Sequence, residues 1–365
     1  MIKISEPAIG PEEVEAVKSV LLSKNIAAGV KVAEFERRFA EFCSVKHALA
    51  VSSGTAGLHA ALHAVGIKAG DEVITTPFTF AATANSILMC HAKPVFVDID
   101  KETFNISPER ITEKITRRTK AVLTVDLYGQ LCDYPKIKKI AEEHNLIVIE
   151  DACQAVNAEL EGKKAGSFGD ISVFSFYATK NIVTGEGGMV VTNEDRYAEL
   201  VKRFRQHGQI QRYEYETLGY NYRMTDIAAA IGLEQLKKID SLTKKRIENA
   251  EYLTQNLQGI NWIKLPKVKY GKHVFHQYTI KVPEKIRDAL FLYLKENGVE
   301  TGIYYPKPLH LFPHFLSNAK PALPVTEGIS KLVMSLPVHP LLNKGDLDKI
   351  IKLINLFDKK KANEQ

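Results

Sequence analysis

Lys180 lies in surroundings that favour covalent chemistry. It follows the apolar run 171–176 and precedes a turn that contains Gly185, Gly187 and Gly188. A lysine that is partly removed from water has a lowered pKa and can form a Schiff base. Glycines let the backbone approach a planar group closely. Because most lysines are solvated surface charges, the competing interpretation is an ordinary exposed side chain.

Two acidic residues, Glu150 and Asp151, follow the apolar run 146–149. Ligand sites in open α/β sheets lie beyond the carboxyl ends of the strands. One of these acids could therefore hold a cationic ring nitrogen, and Gln154 could face the same site. The alternative is an acid that caps a helix after the strand.

The segment Ser52–Leu58 joins the apolar run Ala48–Val51 to an apolar helical stretch. Its small residues let an anion approach the unpaired N–H groups of a helix N-terminus, and Thr55 adds a hydroxyl. The alternative is a helix cap without a ligand, since the segment matches neither glycine-rich nucleotide-binding pattern. A phosphate site, an acid and a lysine together match pyridoxal phosphate, which has a phosphate, a pyridine nitrogen and an aldehyde.

The elements that must position these residues alternate between helix and strand. Amphipathic patterns predict helices, and short apolar runs rich in β-branched residues predict strands. Their alternation favours a mostly parallel sheet covered by helices. The predicted helices are 11–22, 31–43 and 134–144, and the predicted strands are 94–97, 121–125, 146–149, 171–176 and 188–192.

After about residue 240 the pattern changes to that of a smaller α+β domain. We expect a large domain over residues 1–245 and a small C-terminal domain over 246–365. The second part contains a predicted helix at 241–258, a strand at 274–281, a helix at 285–297, a loop rich in tyrosine, proline and histidine at 303–314, and a helix at 346–358.

The composition excludes several classes of protein. The chain has 49 basic and 43 acidic residues and a net charge of +6, which suits an anionic small ligand and does not require nucleic acid. Its four cysteines form no C-x-x-C pair, which argues against a zinc ribbon and a disulfide scaffold. It has no signal-peptide pattern and no apolar stretch of about 18 residues. We therefore expect a soluble, cytoplasmic protein that binds neither nucleic acid nor membrane.

As a set, several motifs resemble the DegT/DnrJ/EryC1/StrS family of sugar aminotransferases, within fold type I of the pyridoxal phosphate enzymes. The resemblance implies an α/β fold whose large domain has a mostly parallel seven-stranded sheet covered by helices, with a smaller α+β C-terminal domain. The motifs, in family order, are Ser52–Leu58, Asp71–Phe80, Phe96–Asp100, Glu150–Ala155, Phe174–Lys180, Gly185–Met189 and Gly219–Asp226.

The resemblance also implies roles for single residues. Lys180 would form the internal aldimine with pyridoxal phosphate, and Asp151 would pair with its pyridine nitrogen. Gln154 would lie beside the phenolic oxygen, and Phe80 would stack on the ring. Asn221 would reach the phosphate from the neighbouring subunit, which implies an obligate homodimer with shared active sites. The remaining phosphate contacts would be Gly54, Thr55, Ala56 and Ser175.

The residues that contact the substrate are less well defined. Tyr177 and Asp126 stand where many family members have histidine, which leaves the identity of the sugar open. Tyr305 and His310 could line a sugar pocket or could simply pack their loop. Arg223 could meet a substrate phosphate or carboxylate, or could pair with an acid.

A metal site is a weaker possibility. His59 and His63 are four residues apart on a predicted helix, a spacing that can bind a metal. The glutamate of the H-E-x-x-H motif is missing and the helix is rich in alanine. We therefore predict no metal ligands.

The resemblance implies that the protein transfers an amino group from glutamate to a keto group of a nucleotide-linked sugar, such as a UDP- or dTDP-keto-sugar. Two half-reactions with ping-pong kinetics are expected. Relatives that carry histidine instead of the lysine are dehydratases, so Lys180 favours transamination. The alternatives are a sugar dehydratase that uses the same cofactor, an aminotransferase for a cyclic ketone such as an inosose, and a cofactor-binding regulatory protein without turnover.

Overall fold

The structure, a computed structural model, describes residues 1–315 and 321–363, with side chains to residue 358. The α-helices are α1 (Pro11–Ser23), α2 (Val30–Cys43), α3 (Gly54–Ala64), α4 (Ala81–Met89), α5 (Pro108–Ile111), α6 (Tyr134–His144), α7 (Asp195–Phe204), α8 (Asp226–Leu257), α9 (Glu284–Glu296), α10 (Pro324–Ser330) and α11 (Lys344–Asn363). The strands are β1 (His47–Val51), β2 (Glu72–Thr75), β3 (Lys93–Phe96), β4 (Thr119–Val125), β5 (Ile147–Asp151), β6 (Glu159–Leu160), β7 (Lys163–Lys164), β8 (Ile171–Ser175), β9 (Gly188–Thr192), β10 (Gln209–Gln211), β11 (Glu214–Tyr215), β12 (Tyr278–Lys281) and β13 (Val333–Leu336).

Seven of these strands form one sheet in the order β1-β9-β8-β5-β4-β2-β3. Neighbouring strands from β8 to β3 pair in parallel, whereas β9 pairs antiparallel with both β1 and β8. Every residue of β8 and β9 is buried, which is typical of a sheet with helices on both faces. The predicted α/β fold with a mostly parallel seven-stranded sheet is confirmed.

Three predicted elements differ from the observed ones. β5 extends beyond the predicted strand 146–149 and includes both acids of that segment. α8 begins well before the predicted residue 241, because the hydroxyl of Thr225 accepts a hydrogen bond from the backbone N–H of Ala228 and caps the helix there. The strand predicted over 274–281 is reduced to β12, and the residues before it turn toward the sheet.

The C-terminal part of the chain forms a second apolar cluster. It is built from the second half of α8 together with α9, α11, β12 and β13, and it is separate from the clusters that cover the large sheet. Ile2 joins this cluster, and its backbone pairs with Gly298 and Glu300. α8 runs through the expected boundary at residues 245 and 246, and the division into two domains stays a prediction.

α8 has 32 residues, and its buried positions alternate with charged and polar ones. Across the part of the chain that the structure describes, no helix combines the length and apolar character that crossing a membrane requires.

Candidate active site

A cavity of about 520 Å³ lies at the carboxyl ends of the parallel strands. Strands β1, β2, β4, β5 and β8 all end at or just before residues that line it. This is the edge at which open α/β sheets bind ligands. The cavity brings together Lys180, Asp151, Gln154, Ser175 and the segment 53–55. These residues are far apart in the sequence and meet because the strands share one direction.

Lys180 follows β8 in a short turn, where its backbone N–H donates a 2.8 Å hydrogen bond to the carbonyl of Tyr177. Burial lowers the pKa of the Lys180 amine, and the nearby Cys153 and Asp151 oppose that effect in part. In the glycine turn that follows, Gly187 has no room for a side chain, since a Cβ there would lie 2.3 Å from the hydroxyl of Thr184. The sequence prediction of a desolvated lysine beside a tight turn agrees with this geometry.

Asp151 is the last residue of β5 and is almost fully buried. Its Oδ2 accepts a 2.9 Å hydrogen bond from the hydroxyl of Thr83, and its Oδ1 accepts a 3.2 Å bond from the N–H of Cys153. The hydroxyls of Thr79 and Thr83 lie 2.9 Å apart and extend this chain toward the cavity. The carboxylate is therefore fixed in orientation and keeps acceptor capacity for a cationic nitrogen.

Glu150 plays a different part from its neighbour, because successive side chains of a strand point to opposite faces of the sheet. Its carboxylate accepts hydrogen bonds from the N–H groups of Gly166, Phe168 and Gly169 and from the hydroxyl of Ser172. The residue is fully buried and does not line the cavity. Of the two acids, only Asp151 can serve a ligand there.

The segment 53–55 forms the start of α3. The hydroxyl of Ser53 accepts a hydrogen bond from the N–H of Ala56 and caps the helix. A Cβ at Gly54 would lie 2.9 Å from Cβ of Ser175 and 3.1 Å from Sγ of Cys153, so this position has no space for a side chain. Ala56 does not line the cavity. The helix N-terminus and two serine hydroxyls leave a small, polar recess that suits an anion.

Phe80 and Gln154 complete this side of the cavity. Phe80 precedes α4 and remains 60% exposed although it lines the cavity, which leaves its ring face open to stacking. The side-chain oxygen of Gln154 accepts a 2.7 Å bond from the N–H of Tyr128. Its nitrogen donates to the hydroxyl of Tyr305 at 3.3 Å.

Tyr177 and Tyr305 line the cavity, but Asn221, Arg223 and His310 do not. Asn221 is exposed and Arg223 is half-buried, and both belong to a backbone segment that pairs outside the cavity. His310 is fully buried, with its Nε2 3.1 Å from the carboxylate of Glu327. The expectation that His310 could line the sugar pocket is therefore corrected, because packing of its own loop accounts for it.

Asp126, the second position at which many family members have histidine, lies outside the cavity. It is fully buried and accepts hydrogen bonds from the N–H of Cys132 and the hydroxyl of Tyr134. Burial raises the pKa of its carboxyl, and the nearby Glu150 raises it further. Because the residue does not line the cavity, its difference from the histidine of other members does not act on the substrate by direct contact.

His59 and His63 are packing residues in this structure. The ring of His63 stacks on Phe204 at 4.1 Å, and Nδ1 of His59 lies 3.1 Å from the hydroxyl of Tyr222. Burial lowers the pKa of both imidazoles.

Several cavity residues were not anticipated from the sequence. Thr79 and Thr83 carried a usable signal, since two hydroxyls four residues apart at the start of a helix share one face. His276 lies in the segment 274–281, for which the sequence predicted a strand and no ligand contact. Others come from the N-terminal segment and from residues at or near the ends of β12 and β13, where no local pattern indicated a ligand. They include Ile4, Ser5, Gln277, Leu336 and Val338.

His276 lies beside the reactive lysine. Its Nδ1 is 3.3 Å from the side-chain oxygen of Asn181, the residue that follows Lys180. Burial holds the pKa of the imidazole well below its ordinary value, and the charges of Lys180 and Arg246 lower it further. The ring is therefore neutral at physiological pH, and donation from Nδ1 to Asn181 leaves Nε2 as an acceptor.

Comparison with known proteins relates the whole chain to one family. The model of the DegT/DnrJ/EryC1/StrS aminotransferase family matches residues 7–355. GDP-perosamine synthase from Caulobacter vibrioides is 40% identical over 362 residues, which cover 97% of each chain.

Solved structures give the same result. DesI, determined in the presence of its TDP-sugar product, has a TM-score of 0.92 and 29% identity, and the match covers 100% of this chain and 95% of DesI. NtdA from Bacillus subtilis with bound cofactor PMP has a TM-score of 0.90 and 32% identity over 96% of this chain and 83% of NtdA.

Proposed function

The chain belongs to the DegT/DnrJ/EryC1/StrS aminotransferase family and is a pyridoxal phosphate-dependent enzyme, and from this premise we propose its substrates. The amino donor is glutamate, and the acceptor is a keto group on a nucleotide-linked sugar. The reaction runs as two half-reactions in one cavity. Cytoplasmic location belongs to the same proposal.

The main support for the proposal is that an amine, a carboxylate and a helix N-terminus lie in one cavity. Lys180, Asp151 and the recess at the start of α3 lie together at the sheet edge. They match the aldehyde, the ring nitrogen and the phosphate of pyridoxal phosphate. The start of the helix packs closely on the strand ends, because a Cβ at Gly54 would lie 2.9 Å from Cβ of Ser175. The residues present therefore fit this cofactor.

Each residue has a proposed task. When bound, the cofactor supplies an aldehyde that takes up the amino nitrogen and a ring that accepts the electron pair left by proton loss. Nζ of Lys180 removes the proton from the α-carbon of the donor as general base and, as general acid, delivers it to the former aldehyde carbon of the cofactor. Asp151 holds the ring nitrogen protonated, and the N–H of Cys153 and the hydroxyl of Thr83 keep its carboxylate in place.

The remaining predicted residues hold the cofactor in position. Phe80 covers the ring, and Gln154 lies beside the phenolic oxygen. Phosphate binding falls to Gly54, Thr55, Ala56 and Ser175. Asn221 is exposed and lies outside the cavity of its own chain, which agrees with a contact across a homodimer with shared active sites.

A nucleotide-linked substrate is supported by the relatives. One is named as a GDP-perosamine synthase, and another was solved with its TDP-sugar product. The two names involve different nucleotides, so we propose nucleotide-linked sugars as the substrate class and do not specify the nucleotide base. Tyr177 and Tyr305 are the proposed sugar contacts, because both line the cavity.

The first test is a visible spectrum of the holoenzyme before and after L-glutamate. We expect a yellow protein that bleaches with glutamate, and we expect Lys180→Ala reconstituted with cofactor to react at least about 10⁴-fold more slowly. Lys163→Ala, at the exposed start of β7, is the matched control and should behave as wild type. A yellow wild-type protein that ignores every amino donor would contradict transamination.

The second half-reaction separates the proposed acceptor from its rivals. Initial rates with glutamate and a UDP- or dTDP-keto-sugar should give parallel lines in double-reciprocal plots, as a ping-pong scheme requires. Amination of an inosose with no need for a nucleotide would support the cyclic-ketone alternative. Loss of water from the sugar without gain of nitrogen would support the dehydratase.

A further inference from the structure

The cavity contains little positive charge for the anions that it is proposed to bind. Among the described residues that line it, Lys180 is the one with a cationic side chain, and Asp151 and Glu186 are acidic. Glutamate carries two carboxylates, and a nucleotide-linked sugar carries a diphosphate. Because Lys180 must react, it cannot also serve as the permanent partner of a substrate anion.

Arg246 is a buried cation without an anion. It lies in the middle of α8 and is only 3% exposed. Its Nε has no hydrogen-bond partner, and within residues 1–315 and 321–358 it forms no ion pair. Burial lowers the pKa of the guanidinium to about 10, so the charge persists at neutral pH. An isolated buried charge is costly unless something compensates it.

Three other ionic side chains with little exposure pair with an opposite charge. Arg205 pairs with Glu36, Glu13 pairs with Lys238, and Glu72 pairs with Arg118. Arg246 differs from these three residues because it has no carboxylate partner among the described residues. A cation kept without a partner inside the protein is suited to an anion that arrives from outside.

The neighbours of Arg246 place it behind one wall of the cavity. Its charge acts on the imidazoles of His276 and His339. His276 lines the cavity, and so does Val338, which precedes His339. One turn along α8, the side chain of Asn249 donates hydrogen bonds to the carbonyls of Val338 and His339.

This wall adjoins Lys180, the residue that is proposed to react. His276 contacts Asn181, the residue next to Lys180. The α-carboxylate of an amino acid is attached to the carbon that gives up its amino group, so it must lie next to the lysine. The diphosphate of a nucleotide-linked sugar is attached at C1, several bonds from the keto carbon. A charge at this wall therefore favours the α-carboxylate over the diphosphate.

We propose that Arg246 provides the positive field that binds the α-carboxylate of the amino donor, in the part of the cavity between His276 and Lys180. The inference rests on the proposed function, because it presumes an amino acid as donor. It assigns donor binding to α8 and leaves the sugar to the tyrosine-lined part of the cavity. Arg246 acts here through electrostatic attraction across the wall, and no direct contact is required.

The test is the donor half-reaction of the holoenzyme in single turnover, measured as a function of donor concentration. Arg246→Met and Arg246→Gln should raise the saturation constant for L-glutamate at least about tenfold, which corresponds to about 1.4 kcal/mol. Their limiting rates should change less than threefold, and Arg246→Lys should restore the constant to near wild type. L-alanine should show the same fold-change, because it shares only the α-carboxylate.

Lys245→Met is the matched control, since it removes an exposed charge next to Arg246 on the same helix, and Lys245 does not line the cavity. It should leave both donor constants unchanged. Unchanged constants in Arg246→Gln would overturn the inference, and so would a loss confined to L-glutamate, which would indicate its side-chain carboxylate. If Arg246→Met fails to fold, the Gln and Lys variants decide. The assay needs no sugar, so failure of the acceptor half-reaction would count only against the proposed function.

Discussion

The two sides of the cavity are built in different ways. On the cofactor side, Asp151, Ser175 and the segment 53–55 lie at strand ends or a helix start. Their positions are fixed by the sheet and by hydrogen bonds such as that from Thr83 to Asp151. The opposite side combines residues from four separate segments. These are residues 4–5, 276–277, 304–305 and the strand end and loop that hold Leu336 and Val338.

From this difference we assign the reaction to the cofactor side and the choice of acceptor to the opposite side. Strand ends hold a reacting group within a few tenths of an ångström because the whole sheet supports them. Loops from unconnected segments can change one at a time without disturbing the sheet. A single reaction can thus be kept while the acceptor varies, which agrees with relatives named for different nucleotide sugars. Substitutions on the two sides should consequently have effects of different size and kind.

After Lys180 itself, the largest effect is expected at the acid of the cofactor side. Asp151→Asn removes the charge that we assign to the ring nitrogen, and the limiting rate of the donor half-reaction should fall about 10²–10³-fold. Thr83→Val removes only the hydroxyl that holds Oδ2, and about a tenfold loss is expected. The measurement is stopped-flow absorbance with L-glutamate.

Thr83→Ser is the matched control, because it keeps the hydroxyl and should remain within threefold of wild type. If Thr83→Val and Thr83→Ser lose activity equally, packing of the methyl group matters and the hydrogen bond to Asp151 does not. A normal rate in Asp151→Asn would remove the assigned role of the acid.

A smaller effect is expected in the phosphate recess. Gly54→Ala would place a methyl group 2.9 Å from Ser175 and 3.1 Å from Cys153, so the recess must widen or the helix start must shift. We expect the dissociation constant of the cofactor to rise at least about tenfold and the free energy of unfolding to fall by about 1–3 kcal/mol. Equilibrium dialysis of the cofactor and denaturant unfolding measure the two quantities.

Gly259→Ala is the control for that experiment, since a Cβ at Gly259 meets no atom within 4 Å. It should leave cofactor binding unchanged. Tight cofactor binding by Gly54→Ala would show that the recess is more compliant than its packing indicates, and would weaken its assignment to the phosphate.

The contrast between the two sides of the cavity also explains which site residues could be predicted from the sequence. Asp151, Lys180 and the start of α3 follow short apolar runs, and such runs mark strand ends in any α/β protein. The parallel direction of the strands then requires these residues to meet. The split between Glu150 and Asp151 was also accessible, because neighbouring strand residues face opposite sides.

The substrate side could not be read in this way. Ile4 and Val338 reach the cavity only because β12, β13 and α8 pack as they do, and that packing depends on long-range contacts. For His310 the sequence left pocket lining and loop packing both open, because its loop has no periodicity that distinguishes a packed histidine from one in a pocket. Arg246 looked like any basic residue of an amphipathic helix, and its burial appears only in the structure.

The smallest effect is expected where the two sides touch. The hydroxyl of Tyr305 accepts a hydrogen bond from Gln154 at 3.3 Å, which is long and therefore weak. Because the hydroxyl is the acceptor in this bond, its own proton remains available to a ligand. Burial raises the pKa of the Tyr305 hydroxyl above its ordinary value, which keeps that proton in place throughout the working pH range. Tyr305→Phe should therefore raise KM for the keto-sugar by about threefold to tenfold, equally at pH 7 and pH 9, and leave the donor half-reaction within twofold. A loss of the same size in the donor half-reaction would mean that the hydroxyl serves mainly to hold Gln154 against the cofactor, and the separation of the two sides would fail at this residue.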